Sequence, residues 1–224
     1  VPSWIFVRLR VSSSNVNHVT DEESLLSAIH EAVTIVPYDP AWPLLFETER
    51  ARIAGLLPEL RLEHIGSTAV PGMPAKPVID CIATVPTMEA ADRLVEQLCR
   101  HGYTTSAEFN RALGDRRWLM RHAGGRRTHH LHLVLEQSDR LAECVRFRDR
   151  LREHADLARR YAELKQQLAD SVGPDREAYT AAKAGFIETV LGRGRRVVLP
   201  SDPFSPRRSA GGRAESPGES PGAK

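Results

Sequence analysis

The 224-residue sequence is poor in cysteine, in aromatic side chains and in net charge. Its three cysteines, Cys81, Cys99 and Cys144, are widely spaced and odd in number. They match no zinc spacing and no disulfide framework, so they read as small buried hydrophobes in a reducing, cytoplasmic setting. No apolar run is long enough to span a bilayer, so neither a transmembrane helix nor a membrane partner is expected. Residues 1–11 are too short and too irregular for a signal peptide. A formal net charge of +2 does not call for nucleic acid. The basic pairs Arg116-Arg117 and Arg126-Arg127 read as solvated strand ends, because they lack the aromatic interleaving of a single-strand binder. No Gly-x-x-x-x-Gly-Lys-Ser/Thr loop occurs, so no kinase domain is expected. No internal repeat is evident.

What is present suits one globular domain with modest additions: 41% of residues are apolar and 27% are charged. A core segment of about 160 residues buries roughly 70% of its unfolded surface. Residues 1–33 read as a partly disordered N-terminal extension, with a short helix at 25–32. Thr20-Asp21-Glu22-Glu23 resembles a helix start, so the native chain is expected to begin near Val19. The domain proper is placed at 34–196. Residues 197–224, rich in Pro, Gly, Ser and Arg, read as a disordered tail.

Within the domain, 33–37 reads as extended. Asp39 is expected to cap a helix with Pro40 in its first turn. Trp42, Leu45, Phe46, Ile53, Leu56 and Leu57 would form its buried face, with Trp42 a core anchor. Strands are expected at 61–65 and 78–85. Thr87 or Met88 opens a helix to Arg100, with Met88, Ala91, Leu94, Val95 and Leu98 as its apolar stripe and Gly102 as its stop. Residues 103–109 read as extended and 110–115 as a turn. Strands follow at 118–122 and 128–136, joined by a Gly124-Gly125 hairpin turn. Helices are expected over 139–153, 154–172 and 175–192. The fold class is α+β: a mixed sheet of about five strands with a C-terminal helical half.

The densest chemistry lies in His64-Ile65-Gly66-Ser67-Thr68-Ala69-Val70-Pro71-Gly72, followed by Ala75-Lys76-Pro77-Val78-Ile79-Asp80. Gly66 tolerates backbone angles that side chains forbid. The amides and hydroxyls of Gly66, Ser67 and Thr68 can face an anionic group. Lys76 can neutralise a phosphate, and Asp80 can hold a divalent cation. His64 is expected to make a structural hydrogen bond to the loop.

This stretch resembles the signature of the GrpB-like family (UPF0157), which is placed in the nucleotidyltransferase superfamily. The resemblance continues in Val36-Pro37-Tyr38-Asp39-Pro40-Ala41-Trp42, in His129-His130-Leu131-His132, in Phe147-Arg148-Asp149-Arg150-Leu151-Arg152, and around Tyr161 and Tyr179. It covers roughly 35–191. It implies a nucleotidyltransferase-like sheet carrying the Gly-Ser turn and the acid, and a nucleotide or phosphorylated small molecule as ligand. Family-like domains also occur joined to dephospho-coenzyme A kinase, which implies a coenzyme A biosynthesis protein as partner and an accessory role as the alternative to catalysis. The superfamily pattern has a second carboxylate two residues after Asp80 and a third on a neighbouring strand. Here Ile82 takes the second position, and Glu136 lies ~13 Å beyond His132 at strand rise. Two-metal catalysis is therefore not expected, although a single Mg²⁺ on Asp80 remains open.

Strand parity sorts the other candidates. His130, His132 and Val134 share one face, while Leu131, Leu133 and Leu135 share the other, which suits the core. If this strand lies beside 78–85, Asp80, His130 and His132 face one cleft. The two histidines have three readings: metal ligands, phosphate-binding or proton-transferring groups, or residues of a solvated sheet face. His129, of opposite parity, reads as structural. Arg148 is the arginine expected to meet an anion, the other reading being a salt-bridged helix surface. Tyr161 with Lys165, and Tyr179 with Lys183, can each present a phenol and an ammonium at i,i+4 spacing. Lys165 and Lys183 join the expected phosphate-binding set.

Overall fold

A computed structural model describes residues 34–172 and 176–192. The expectations for 1–33, for the Gly173-Pro174 stop and for the tail lie outside these residues. Among them the chain forms α1 (Trp42–Leu56), β1 (Glu63–Ile65), a 3₁₀ turn (Ser67–Ala69), β2 (Ile79–Val85), α2 (Met88–Arg100), α3 (Ala107–Ala112), β3 (Arg116–Ala123), β4 (Arg126–Leu135), α4 (Arg140–Glu153), α5 (Ala155–Val172) and α6 (Arg176–Leu191).

The sheet has four strands in the order β1-β2-β4-β3, one fewer than the sequence predicts. The segment before α1 contributes a single bridge, Val36 to Ala75, instead of a strand. Strands β1 and β2 are antiparallel, β2 and β4 parallel, and β3 and β4 antiparallel. The result is a mixed sheet in an α+β fold, as the sequence predicts.

Parity divides the sheet as expected. Ile79, Cys81, Ala83, Leu119, Leu131 and Leu133 pack with Trp42, Phe46 and Ile53 of α1 and with Val95 and Leu98 of α2. Ile82 and Val134, on the other face, pack against Leu141 and Cys144 of α4. A third apolar cluster joins Val70 and Met73 of the loop to Leu151, Tyr161 and Phe186 of the helical half. The loop after the 3₁₀ turn is thus held by α4, α5 and α6.

Several local expectations change. Asp39 Oδ1 accepts from the Ala41 amide at 2.8 Å, which caps the turn ahead of the helix; the N-cap position itself is Ala41, with Pro43 in the first turn. Leu45 and Leu56 are exposed, and Glu49 takes the inward position instead. Residues 107–112 are a short helix, because Ser106 Oγ accepts from the Phe109 amide and caps it. Thr87 caps α2 through the Ala90 amide. All three cysteines are free thiols; Cys81 is fully buried, Cys99 and Cys144 partly so.

Candidate functional site

The parallel register sets Asp80 beside His130 and Ile82 beside His132. Asp80 Oδ1 lies 2.9 Å from His130 Nδ1. The sequence therefore predicts correctly that these side chains share a face. Gly66 explains how the carboxylate fits. A Cβ on Gly66 would lie 2.6 Å from Asp80 Oδ2 and 3.1 Å from Asp80 Cβ. Gly66 also has φ 71° and ψ −170°, a region essentially reserved for glycine. The turn leaves room for the acid, and the acid seals the turn.

His64 and Thr68 lock this turn from inside. Thr68 Oγ1 donates to the Val78 carbonyl at 3.4 Å and is 3.0 Å from His64 Nε2. With the hydroxyl hydrogen committed to Val78, His64 Nε2–H is the donor to Thr68. His64 also stacks on Phe46 at 4.6 Å. It is structural, as expected. Thr68 is buried, so its hydroxyl faces the core and not a ligand. Gly66 and Ser67 are the partly accessible members of the turn.

Arg148 is placed differently from the expected anion contact. Its guanidinium donates to Asp149 at 2.7 and 3.2 Å, to Glu63 at 3.1 Å and to the His64 carbonyl at 2.8 Å. Arg152, one turn on, donates twice to the Ala69 carbonyl, at 2.9 and 2.7 Å. Together the two arginines clamp both ends of the Gly-Ser-Thr turn from α4. A motif that reads as a ligand contact is here a support for the loop. Arg116 and Arg117 are also committed to neighbours, Asp115 and Asp92, and Arg127 sits over the Trp118 ring at 5.8 Å. Arg116, Arg117 and Arg127 are partly buried, not solvated strand ends; Arg126 is exposed, as expected.

The lysines do converge. Lys165 is buried, donates to the Pro74 carbonyl and lies over the Tyr161 ring at 5.1 Å. Burial, with the nearby Lys183 charge, pulls its pKa down to about 7 against the opposing attraction of Asp80. Lys183 is likewise lowered by burial and also feels Asp80. Burial pushes the Asp80 carboxyl up, but the His130 hydrogen bond and the charges of His130, Lys76 and His132 outweigh it, and the group stays well below the usual carboxylate range. Three lysines from the loop, α5 and α6 thus act on one carboxylate, Lys165 being only about half protonated at pH 7. The side chain of Tyr179 lies outside the described residues.

The histidines of this region are neutral at pH 7. Burial lowers His130 to about 4 despite Asp80, and lowers His132 and His64 to about 4 as well. In an unfolded chain they would titrate near 6.5. A folded pKa below the unfolded one means that stability is fully present above about pH 6.5 and is lost as pH falls toward 4. Each such histidine adds a slope of about 1.4 kcal/mol per pH unit in that window. Denaturant titrations of wild type and His64→Gln between pH 4.5 and 7 are expected to differ by one such slope. Equal slopes would show that His64 is not held neutral.

A Mg²⁺ ion held by the protein alone does not fit this donor set. Among the described residues no group of three His, Cys, Asp or Glu side chains has the geometry of a metal site. Ile82 occupies the second-carboxylate position and is buried in the apolar cluster beneath α4. Asp80 already shares Oδ1 with His130 and stands among lysines. A divalent cation needs several oxygen ligands, and here one carboxylate is on offer.

The sequence reading missed Trp118. Its ring lies 5.3 Å from that of His130 and 5.7 Å from that of Phe109. The pairing Trp118 to His132 puts it on the Asp80 face.

A mixed sheet with a glycine turn seated on a strand carboxylate, and a helical half closing over it, is consistent with the nucleotidyltransferase superfamily. The sequence profile described as "GrpB protein" matches residues 32–193. The chain belongs to the GrpB family. It is 41% identical over 179 residues to the UPF0157 protein PA4798 of Pseudomonas aeruginosa, covering 77% of this chain and 72% of that one. It is 35% identical over 171 residues to the UPF0157 protein YqkA of Bacillus subtilis, where it spans 74% of itself but only about half (49%) of the relative. A crystal structure of the conserved protein GrpB from Enterococcus faecalis superposes with a TM-score of 0.61 at 36% identity, covering 70% of this chain and 94% of that one. A shorter match, 46% identical over 76 residues, is to a dephospho-CoA kinase of Mycolicibacterium paratuberculosis; it covers 32% of this chain and 19% of the kinase. Among the described residues no helix is long and apolar enough to cross a membrane.

Proposed function

We propose that the chain binds a phosphorylated small molecule, a nucleotide by preference, in the cleft between the Asp80 face of the sheet and helices α5 and α6. The observation that carries this reading is the gathering of Lys76, Lys165 and Lys183 around a single carboxylate, which leaves an excess of positive charge for an anion. Gly66 and Ser67 supply the partly accessible backbone of the turn on the same side. The preference for a nucleotide rests on the superfamily, and any nucleotidyl transfer to an acceptor is a further step of the same proposal. The test is a thermal-shift panel of nucleoside mono-, di- and triphosphates and coenzyme A precursors, each with and without Mg²⁺. A ligand at one hundred times its Kd stabilises by about 2.7 kcal/mol, which for a chain of this size is a rise of roughly 5–10 °C. The expected result is such a shift in wild type that is lost in Lys76→Met and Lys183→Met. No shift with any phosphorylated compound would overturn the reading.

A second reading is favoured by the partial match to dephospho-CoA kinase and by Ile82: a catalytically silent domain accessory to coenzyme A metabolism. It predicts a shift with coenzyme A precursors that needs no Mg²⁺ and survives Asp80→Ala.

A further inference from the structure

His130 carries one ring nitrogen whose role the site does not yet explain. Nδ1 faces Asp80 Oδ1 at 2.9 Å. An ionised carboxylate only accepts, so Nδ1 holds the hydrogen and Nε2 holds a lone pair. That Nε2 is buried and has no hydrogen-bond partner among the described residues. The residue as a whole is 8% exposed. A buried acceptor without a partner costs stability comparable to a lost hydrogen bond, and in a native protein it calls for an occupant. The surroundings say what kind. Asp80 is the larger charge acting on both rings, but it is a single carboxylate, opposed by Lys76 and Arg127 at His130 and by Arg116 and Arg140 at the neighbouring His132, so cations outnumber it. The acceptor itself asks for a hydrogen.

We propose that His130 Nε2 is the specificity-determining acceptor of the cleft. It selects anions that bring their own O–H: a hydrogen phosphate, or a phosphate ester with a hydroxyl beside it. Asp80 is then a positioning residue, which holds the imidazole in the tautomer that can accept. This rests on the anion-binding reading of the cleft and adds a ligand chemistry to it. Lysines alone neutralise charge without distinguishing one dianion from another. An acceptor adds that distinction, because an anion lacking hydrogen would set its oxygen against the lone pair.

Hydrogen phosphate and sulfate are the discriminating probes. They match in shape, and at about pH 8.5, well above the second ionisation of phosphate, also in charge; only the former carries a hydrogen. The whole chain, labelled with ¹⁵N-histidine, is titrated with each anion at constant ionic strength, following the His130 ring nitrogens and the Kd. In the resting protein Nε2 is expected unprotonated and Nδ1 protonated. Phosphate is expected to bind at least tenfold more tightly than sulfate and to shift the Nε2 resonance, whereas sulfate leaves it in place. In Asp80→Asn the amide can donate to Nδ1, Nε2 becomes the N–H, and the preference is expected to fall to parity or invert. A merely structural Asp80 would change both affinities together and leave their ratio intact. Equal affinities in wild type, or a resting Nε2–H tautomer, would overturn the inference while leaving the cationic cleft standing. Failure of both anions to bind would overturn the cleft and the inference together.

Discussion

Gly66→Ala is expected to destabilise the protein by about 3–5 kcal/mol, enough to consume much of the stability of an ordinary domain. Two costs add. The backbone angles of Gly66, φ 71° and ψ −170°, cost a side-chain-bearing residue about 1–3 kcal/mol. The new methyl would also stand 2.6 Å from Asp80 Oδ2, a separation that forces one group to move. Asp80 cannot yield cheaply, because it springs from a central strand and holds His130. Displacing it breaks a hydrogen bond to a charged group, worth about 1.5–3 kcal/mol. Urea midpoints measure the loss. A double-mutant cycle with Asp80→Ala separates the two costs. Removing the carboxylate relieves the closest contact but leaves Asp80 Cβ at 3.1 Å and the strained backbone, so rescue is expected to be partial. A Gly66→Ala protein within 1 kcal/mol of wild type would show that the turn does not depend on this seat.

The sequence makes the Asp80 face legible because parity along a strand is a rigid property of the backbone. Leu131 and Leu133 alternate with His130 and His132, and only one arrangement buries the leucines. That argument needs β2 and β4 to be neighbours, and their parallel pairing meets the condition. The same logic fails on β3. Counting back from the Gly124-Gly125 turn pairs Ala123 with Arg126 and His122 with Arg127, as observed. The next pair is Arg121 with His129, so Thr128 is an extra residue on β4. This one-residue bulge flips every later side chain of β3 to the opposite face from the one that simple counting assigns. Trp118 and Met120 thereby reach the Asp80 side, and nothing in the local composition announces the bulge. Arg148 is a failure of another kind. Its charge, its motif and its pairing with the adjacent Asp149 are visible in sequence, but its other two acceptors, the Glu63 carboxylate and the His64 carbonyl, lie 85 and 84 positions away. A guanidinium looks the same in sequence whether it holds a ligand or a loop.

On the far face of the sheet Glu49→Ala is expected to cost about 3–5 kcal/mol, although Glu49 touches nothing in the candidate site. Its carboxylate is buried and sits at the centre of a network. Arg52 donates to it twice, at 3.0 and 2.6 Å, Tyr103 donates at 2.6 Å, and Arg121 donates from β3. The two guanidinium groups also lie 5.5 and 6.0 Å from the Tyr103 ring centroid. One acid therefore ties α1 to the segment after α2 and to the edge strand β3. Truncating it leaves two arginines and a phenol without their acceptor, and the penalty is chiefly that of the stranded charges. The neighbouring pair Glu47–Arg50 is the control. It is half exposed, at 50% and 52%, so Glu47→Ala is expected to cost at most about 1 kcal/mol. The network also sets its own acid limit. Burial raises the Glu49 carboxyl, but Arg52, Tyr103 and Arg121 outweigh it and hold the pKa down to about 2. A depressed carboxylate contributes stability above its unfolded value, near 4.5, that is lost as pH falls toward 2. This window lies below the histidine window at pH 6.5–4. The two contributions are therefore expected to separate: His64→Gln changes the slope of stability above pH 4.5, and Glu49→Gln changes it only below. Chemical denaturation of both variants from pH 3 to 7 measures this, and a Glu49→Ala loss no larger than that of Glu47→Ala would refute the network's role in holding α1 to the sheet.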